Sequence, residues 1–292
     1  MLRSTADALG TILLPDSCTL CGSPLPHVSF APICDACWSE MTPLTGQSCV
    51  QCGDSVDLFS LNSAHTHCRA CRLAPPAFTR AVSFGHFDGR IRDAIHALKY
   101  DGLQAAARGL GEKLAVTIAS LREAAPAEML VVPVPLHRSR YRMRGFNQTR
   151  LLAEHALKSL AKSHVQWKLE ISPRVLLRVR ATNSQTGLTR RERRLNLRKA
   201  FAVDGAMAIA GRDVLLVDDI LTTGATVRAA SRVLIEAGAK SVWVATLARA
   251  GRRIHNLSFA GAPLGASTTV QFRPQPFTAA HSMQARQHQP SF

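Results

Sequence analysis

Several features are missing from the sequence, and each absence narrows the class of protein. No uninterrupted apolar run approaches the ~18 residues that a membrane span needs, so we expect no membrane insertion. The N-terminus has no basic start followed by a long apolar centre and a small-residue cleavage site, so we expect a cytoplasmic protein. Hydrophobic residues make up 46% of the chain and charged residues 19%, which excludes a globally disordered or fibrous protein.

Acidic residues are scarce in part of the chain, and this concentrates the positive charge. The formal net charge is +16; residues 137–200 hold 17 basic and 3 acidic side chains, whereas residues 1–136 hold 10 basic and 12 acidic ones. From Arg252 to the end there is no acidic residue. So concentrated a positive field favours a polyanionic ligand such as phosphate, pyrophosphate or a nucleic-acid backbone. The alternative interpretation is a well-solvated basic surface.

Cysteine is absent beyond residue 71, and the eight cysteines form four CxxC pairs: Cys18/Cys21, Cys34/Cys37, Cys49/Cys52 and Cys68/Cys71. A two-residue gap lets both sulfurs face one ion, and two pairs complete the tetrahedral sulfur site that Zn²⁺ prefers, so we predict two structural zinc sites. Disulfides need an oxidising compartment, a redox CxxC is not expected four times in tandem, and iron–sulfur clusters usually have less regular spacing. The spacing leaves open which pairs share an ion.

Hydrophobic periodicity divides the rest of the chain. After Pro75-Pro76, strand-like and helix-like segments alternate, which predicts an α/β domain with a mostly parallel sheet. We expect strands at 81–87, 129–134, 175–179, 214–217 and 241–247. We expect helices at 88–100, 103–121, 147–160 and 225–237. The predicted domains are a lead-in with a double zinc ribbon over 1–76, the α/β domain over 77–250, and a low-complexity, disordered tail over 251–292.

The segment VLLVDDILTTGAT, residues 214–226, carries the clearest chemistry. A buried strand ends at Asp218 and Asp219, and a loop of Thr, Gly and small residues leads into a helix; the loop N–H groups and the helix N-terminus suit a phosphate monoester. The carboxylates only accept hydrogen bonds, so they suit sugar hydroxyls or a hydrated Mg²⁺. The pattern predicts a ribose 5-phosphate site; the alternative is a turn whose acids cap a helix or face solvent. The expected phosphate-binding residues are Thr222, Thr223, Gly224, Ala225 and Thr226.

This segment resembles the 5-phosphoribosyl pyrophosphate (PRPP) motif of type I phosphoribosyltransferases, and other segments resemble the ComF family, which comprises competence-type, phosphoribosyltransferase-like proteins of bacteria. The ComF-like segments are ALKY at 97–100, VPVPLH with the arginine run and Asn147-Gln148 behind it, and QTGL through RRLN at 185–196. An N-terminal paired-CxxC module is also typical of that family. The resemblance spans roughly residues 10–250 and implies a parallel-sheet type I phosphoribosyltransferase domain preceded by a small double zinc ribbon.

The resemblance also implies residue roles. The acidic pair would contact the ribose hydroxyls as catalytic residues, with Asp219 preferred as the group that accepts a proton or stabilises developing charge. A loop after the strand at 129–134 would bind pyrophosphate through Arg138, Arg140, Arg142, Arg144 and Gly145. A mobile flap would close over the reaction centre with Gln185, Arg190, Arg193, Arg194 and Asn196. Lys99 and Tyr100 are indicated by the resemblance alone.

The basic segments have alternative interpretations. The run at 138–144 suits a nucleic-acid-binding loop, with Tyr141 and Phe146 available for stacking, and the run at 190–199 suits a solvated helix face. Two functions therefore stay open. One is transfer of phosphoribosyl from PRPP to a nitrogen acceptor with Mg²⁺, linked to nucleotide salvage or DNA utilisation. The other is a non-catalytic accessory protein that binds single-stranded DNA, senses PRPP or a nucleotide, and contacts DNA-uptake machinery. No segment resembles a base-recognising hood, so the acceptor is open.

Overall fold

A parallel sheet lies at the centre of the fold, as the apolar runs predicted. A computed structural model describes residues 16–26, 31–56, 67–164, 166–180 and 199–251. Within these ranges the strands are β1 (Arg80–His86), β2 (Glu128–Pro133), β3 (Lys168–Ile171), β4 (Leu176–Arg178), β5 (Phe201–Val203), β6 (Asp213–Leu221) and β7 (Ser241–Arg249). Five of them form one sheet in the order β1-β7-β6-β2-β3, and every pairing in it is parallel. Parallel sheets of this kind are covered on both faces, and β2, β6 and β7 are accordingly buried over most of their length.

Helices cover the two faces of the sheet unequally. The described helices are α1 (Asp35–Ser39), α2 (Arg69–Leu73), α3 (Gly89–Tyr100), α4 (Ala106–Ala119), α5 (Arg138–Arg144), α6 (Gln148–Ser163) and α7 (Ala225–Glu236). Successive side chains of a strand point to opposite faces. Leu215 therefore packs in a first core with α3, α4 and α6, and Leu216 packs in a second core with α7.

Each half of the cysteine-rich segment packs on one of these cores. Ile33 and Met41, which flank the helix α1, belong to the first core. Trp38 lies so close to Gly109 of α4 that a Cβ at that glycine would stand 2.6 Å from the indole ring. The second half joins the other core, and its Gly53 approaches the Ala81 carbonyl oxygen closely enough that a Cβ would meet it at 2.9 Å. The two cysteine-rich modules are therefore held against the domain by close packing.

Most predicted elements are confirmed, and the exceptions have clear causes. The segment at 175–179 is a strand, but β4 pairs antiparallel with β5 outside the main sheet. Only Val175 and Leu176 of that segment are buried, so the short apolar run did not indicate which sheet it would join. β3, with its alternating burial and charged residues, was not predicted; it is a short strand at the edge of the sheet.

Two differences concern the edge of the sheet where the acidic pair lies. The strand β6 does not end at Val217 as expected; it continues to Leu221, since β7 pairs with it as far as Arg249. Its pairing with β2 stops at Pro133 opposite Val217. The segment 138–144, expected as a loop, is the helix α5. None of its residues is buried, so the sequence has no apolar stripe there that would predict a helix.

Some expectations concern residues that the structure does not describe. These are the predicted flap residues Gln185, Arg190, Arg193, Arg194 and Asn196, together with residues 252–292 of the tail. Their roles stay predictions. In the part of the chain that is described, every helix is too short or too polar to cross a bilayer.

Candidate functional site

The acidic pair lies at the carboxyl edge of the sheet, beyond the point where β2 ends. Asp218 and Asp219 are 7% and 6% exposed, so both carboxyl groups are largely removed from water. The Asp219 N–H donates a hydrogen bond to Asp218 Oδ1 at 2.9 Å. Because neighbouring residues of a strand face opposite sides, the two carboxylates have different partners.

Asp219 is surrounded by cationic and amide groups. Lys99 Nζ, at the end of α3, lies 2.8 Å from Asp219 Oδ2, and the Gln148 side-chain amide of α6 donates to the same oxygen at 2.7 Å. Arg144 in turn donates to the Gln148 side-chain oxygen. Burial raises the pKa of Asp219, but the Lys99 charge and hydrogen bond, the Gln148 amide and the Arg144 charge together bring its pKa below the ordinary value. Asp219 is therefore ionised at neutral pH.

Asp218 has the opposite tendency. Burial, reinforced by the neighbouring Asp219 charge, raises the pKa of Asp218 to about 7. The charges of Lys99 and of Arg178 in β4 act against this shift. The site thus holds one carboxylate that is ionised and one that can exchange a proton near neutral pH, a division typical of acid–base chemistry.

The expected phosphate loop directly follows the acidic pair. Gly224 has φ 73°, a left-handed conformation that favours glycine, and the helix α7 starts at the next residue. The Ala225 N–H donates to the Thr223 hydroxyl at 3.4 Å. The other residues of the loop are partly accessible, whereas Ala225 is buried. A strand, a tight turn and a twelve-residue helix therefore meet in the geometry that suits a bound phosphate.

The four arginines of α5 divide between two sides of that helix. The helix begins after His137, whose Nδ1 accepts the Ser139 N–H at 3.2 Å, and it ends at Gly145 with φ 81°. Arg140 and Arg144, one turn apart, are partly buried and electrostatically coupled to Arg178 and Asp219 respectively. Arg138, Arg142, Tyr141 and Met143 are exposed on the other side. Of the predicted pyrophosphate residues, the structure brings Arg140 and Arg144 towards the acidic pair and leaves Arg138, Arg142 and Gly145 exposed.

Three residues at the site had no assigned chemistry in the sequence. Lys99, indicated by the resemblance alone, pairs with Asp219, and Gln148 bridges Asp219 to Arg144. Arg178 lies with its guanidinium 5.5 Å from the centre of the Phe201 ring; burial, together with repulsion from Arg140, lowers the pKa of Arg178. The only signal for Arg178 was a cation in a strand-like apolar segment.

Among the described residues, the cysteines form two sets, one of Cys18, Cys21, Cys34 and Cys37 and one of Cys49, Cys52, Cys68 and Cys71. In each set the sulfur atoms all lie within 4.8 Å of one another. The Sγ–Sγ distances include 3.8 Å for Cys18–Cys37, 3.7 Å for Cys21–Cys34 and 3.6 Å for Cys52–Cys68. Four sulfurs around Zn²⁺ at about 2.3 Å stand about 3.8 Å apart, so both sets fit structural zinc, and neighbouring pairs share an ion.

Comparisons with known proteins agree with this organisation. A double zinc ribbon domain model matches residues 9–72, and a phosphoribosyl transferase domain model matches residues 168–259. The DNA utilization protein YhgH of Escherichia coli is 32% identical over 82% of this chain and 99% of its own length. Competence protein F of Haemophilus influenzae is 27% identical over 77% and 93%, and competence protein ComFC of Bacillus subtilis is 26% identical over 74% and 84%. The second domain match contains the acidic pair and the phosphate loop but not α5.

Proposed function

This chain belongs to the ComF family, and we propose that its phosphoribosyltransferase-like domain binds PRPP or a closely related phosphorylated ribose at the carboxyl edge of the sheet. The observation that carries this proposal is the direct junction of a buried acidic pair, Asp218-Asp219, with a threonine-glycine loop at the start of α7. Phosphate and sugar hydroxyls need opposite hydrogen-bonding partners, and here N–H donors and carboxylate acceptors stand a few residues apart.

In this proposal each part of PRPP has its own partner. The loop from Thr222 to Thr226 binds the 5-phosphate, and Asp218 and Asp219 accept hydrogen bonds from the ribose hydroxyls. Arg140 and Arg144, on the inward side of α5, bind the pyrophosphate, because guanidinium groups make paired hydrogen bonds to phosphate oxygens. The outward Arg138 and Arg142 contribute to the positive field that attracts the ligand.

Mg²⁺ fits the oxygen ligands of the acidic pair and of a pyrophosphate, and it would supply charge neutralisation of the departing group. The chain's own residues would do the rest. In the transfer, the bond from the anomeric carbon to the pyrophosphate oxygen breaks, a bond to the acceptor nitrogen forms, and that nitrogen loses a proton. The pKa directions favour Asp218 over Asp219 as proton acceptor, since Asp219 is held ionised by Lys99.

Titration calorimetry with PRPP, with and without Mg²⁺, tests the binding proposal. We expect one PRPP bound per chain and tighter binding with Mg²⁺, since the cation screens the pyrophosphate from the acidic pair. Absence of any binding signal under both conditions contradicts the proposal. A screen of nitrogen acceptors for pyrophosphate release then separates an enzyme from a PRPP sensor.

The second candidate function is binding of single-stranded DNA, and the outward side of α5 favours it. Arg138 and Arg142 are exposed beside Tyr141 and Met143, which combines phosphate-binding cations with an aromatic ring on which a base can stack. If this function dominates, DNA binding weakens steeply with added salt, and the protein releases no pyrophosphate from PRPP with any acceptor.

The raised pKa of Asp218 predicts a pH dependence of stability. The unfolded carboxyl group loses its proton near pH 3.8, whereas a pKa of about 7 means that the folded group keeps it longer. Between about pH 4 and pH 7 the folded state binds more protons, so stability falls as pH rises through this window and levels off above it, with a total effect of a few kcal/mol. We expect the Asp218→Asn variant to lose this slope.

The measurement is urea unfolding of the parent and of Asp218→Asn at a series of pH values from 4.5 to about 8, read as a difference that cancels the histidines. Asp219 adds little slope in this range, because its pKa is lowered: its stabilising contribution is present above about pH 4 and is lost mainly as pH falls below that value. Equal slopes in the two proteins contradict the assignment.

A further inference from the structure

The second cysteine site, formed by Cys49, Cys52, Cys68 and Cys71, contacts a buried arginine at the end of β7. Arg249 is 7% exposed. Its Nη1 donates to the Cys52 carbonyl oxygen at 2.6 Å, its Nε donates to Asp54 Oδ1 at 3.1 Å, and its Nη2 lies 3.9 Å from Cys52 Sγ. One guanidinium group thus contacts the backbone and the sulfur of the metal-ligating Cys52 and the carboxylate of Asp54.

A second arginine, one turn into α7, reaches the same cysteine site. Arg228 Nη1 donates to the Ala74 carbonyl oxygen at 2.7 Å, and its Nη2 lies 3.9 Å from Cys71 Sγ. Its guanidinium also lies 6.0 Å from the centre of the Phe78 ring. The two arginines therefore approach two different sulfur ligands of one site.

Both arginines are connected through the backbone to the phosphate loop. Arg249 is the register partner of Leu221, the residue before Thr222, and the Ala250 N–H donates to the Leu221 carbonyl oxygen at 3.0 Å. The Arg228 N–H donates to the Gly224 carbonyl oxygen at 2.9 Å. Backbone hydrogen bonds thus hold the residue before the loop next to Arg249, and they hold Gly224 within the loop next to Arg228.

The charge of a zinc-loaded site would favour these two arginine contacts. Four thiolates around one Zn²⁺ carry a net charge of about −2, and partners outside the ligand shell stabilise such buried charge and orient the ligands. Arg228 and Arg249 stand where they would offset this charge, each beside a different sulfur ligand. Without the metal, the four sulfurs lose the ion that would hold them together, and the two guanidinium groups lose a fixed set of contacts.

The first cysteine site has a corresponding arginine in a different place. Arg90 Nη1 donates to the Leu20 carbonyl oxygen at 2.8 Å, and its Nε pairs with Glu40 at 3.1 Å. Arg90 lies near the start of α3, at the opposite end of that helix from Lys99. In the described part of the chain its side chain contacts Leu20, Glu40 and Asp93, all away from the phosphate loop, so it provides a matched control.

We propose that zinc in the second cysteine site holds the phosphate loop in its binding conformation through the positioning residues Arg228 and Arg249, so that loss of this zinc weakens binding of phosphate esters. This coupling would regulate the same site that the proposed function describes, and the identity of its ligand rests on that function. The contacts between the zinc site and the loop can be tested without any ligand.

The test compares the parent with Arg249→Met, Arg228→Met and the control Arg90→Met, with Arg249→Lys as a variant that keeps the charge. Zinc transfer to a chromogenic chelator is followed together with cysteine alkylation, which identifies the site that opened. We expect the second site to release zinc ~10-fold faster in the two methionine variants, with partial recovery in Arg249→Lys, since partners outside the ligand shell typically change metal affinity by 10–100-fold. Arg90→Met should affect the first site only.

The second readout is hydrogen exchange of the amides of residues 222–226. We expect exchange to rise by ~10-fold when the second site loses zinc, and to stay unchanged in Arg90→Met. Binding of ribose 5-phosphate is measured in parallel and should weaken to a similar degree. Zinc loss from the second site with unchanged loop exchange overturns the coupling. If loss of zinc raises the exchange of the loop amides but the parent does not bind ribose 5-phosphate at all, the proposed function is overturned and the coupling stands.

Discussion

Replacing Asp218 and Asp219 together with alanine is expected to weaken PRPP binding by at least ~100-fold. Hydrogen bonds to charged groups contribute about 1.5–3 kcal/mol each, and the proposed site loses one or more at each carboxylate. Both groups are buried at the carboxyl edge of the sheet, where water cannot fully replace them. The measurement is titration calorimetry of PRPP with Mg²⁺ on parent and variant.

The controls for this variant separate binding from folding. Alanine at position 219 leaves Lys99 without its partner carboxylate, so the Asp218→Asn/Asp219→Asn pair, which keeps the shape, is measured beside it. Asp213→Asn is the matched control: it changes a carboxylate of the same strand that accepts from Ser241 Oγ at 2.6 Å, at the far end from the loop. A folded alanine double variant that binds PRPP as tightly as the parent sinks the site assignment.

Removing the metal from both cysteine sites is expected to lower the unfolding temperature by more than about 10 °C. Structural zinc typically contributes many kcal/mol of folding free energy, and 1 kcal/mol corresponds to about 2–4 °C for a domain of this size. The effect should reach the α/β domain, because Met41 of the cysteine-rich segment belongs to the first core and Cys71 to the second. Calorimetric scans before and after chelation measure it.

The reversal of this effect is the control. Adding Zn²⁺ back under reducing conditions should restore the parent unfolding temperature, whereas Mg²⁺ should not, since thiolates select soft or borderline ions. An unchanged unfolding temperature after complete loss of metal contradicts a structural role for the two sites.

The sequence predicted the parts of the fold that depend on local pattern. The apolar runs gave β2, β6 and β7, the helical spacing gave α3, α4, α6 and α7, and the four CxxC pairs predicted two metal sites. Each of these signals lies within a few consecutive residues. The turn from the acidic pair to Gly224 is local in the same sense, so its geometry could be anticipated.

The remaining features depend on contacts between distant parts of the chain. Lys99 and Gln148 reach Asp219 from two helices that are far from it in sequence, and nothing around either residue indicates a buried ion pair. Arg178 reaches the site from β4, which pairs antiparallel with β5 outside the main sheet. The arginine helix α5 was missed because it buries none of its residues, and periodicity detects a helix through its buried face.

The position of β7 between β1 and β6 has a consequence for the newly synthesised chain. This strand is the last of the described sheet to leave the ribosome, yet it pairs with two strands that precede it. Until β7 is synthesised, β1 has no neighbour in the described sheet. The Cys52 carbonyl oxygen also lacks its hydrogen bond from Arg249, which lies 197 residues later in the chain. A nascent polypeptide that stops before residue 241 therefore exposes two unpaired strand edges, which are open to non-native pairing until translation reaches the end of the domain.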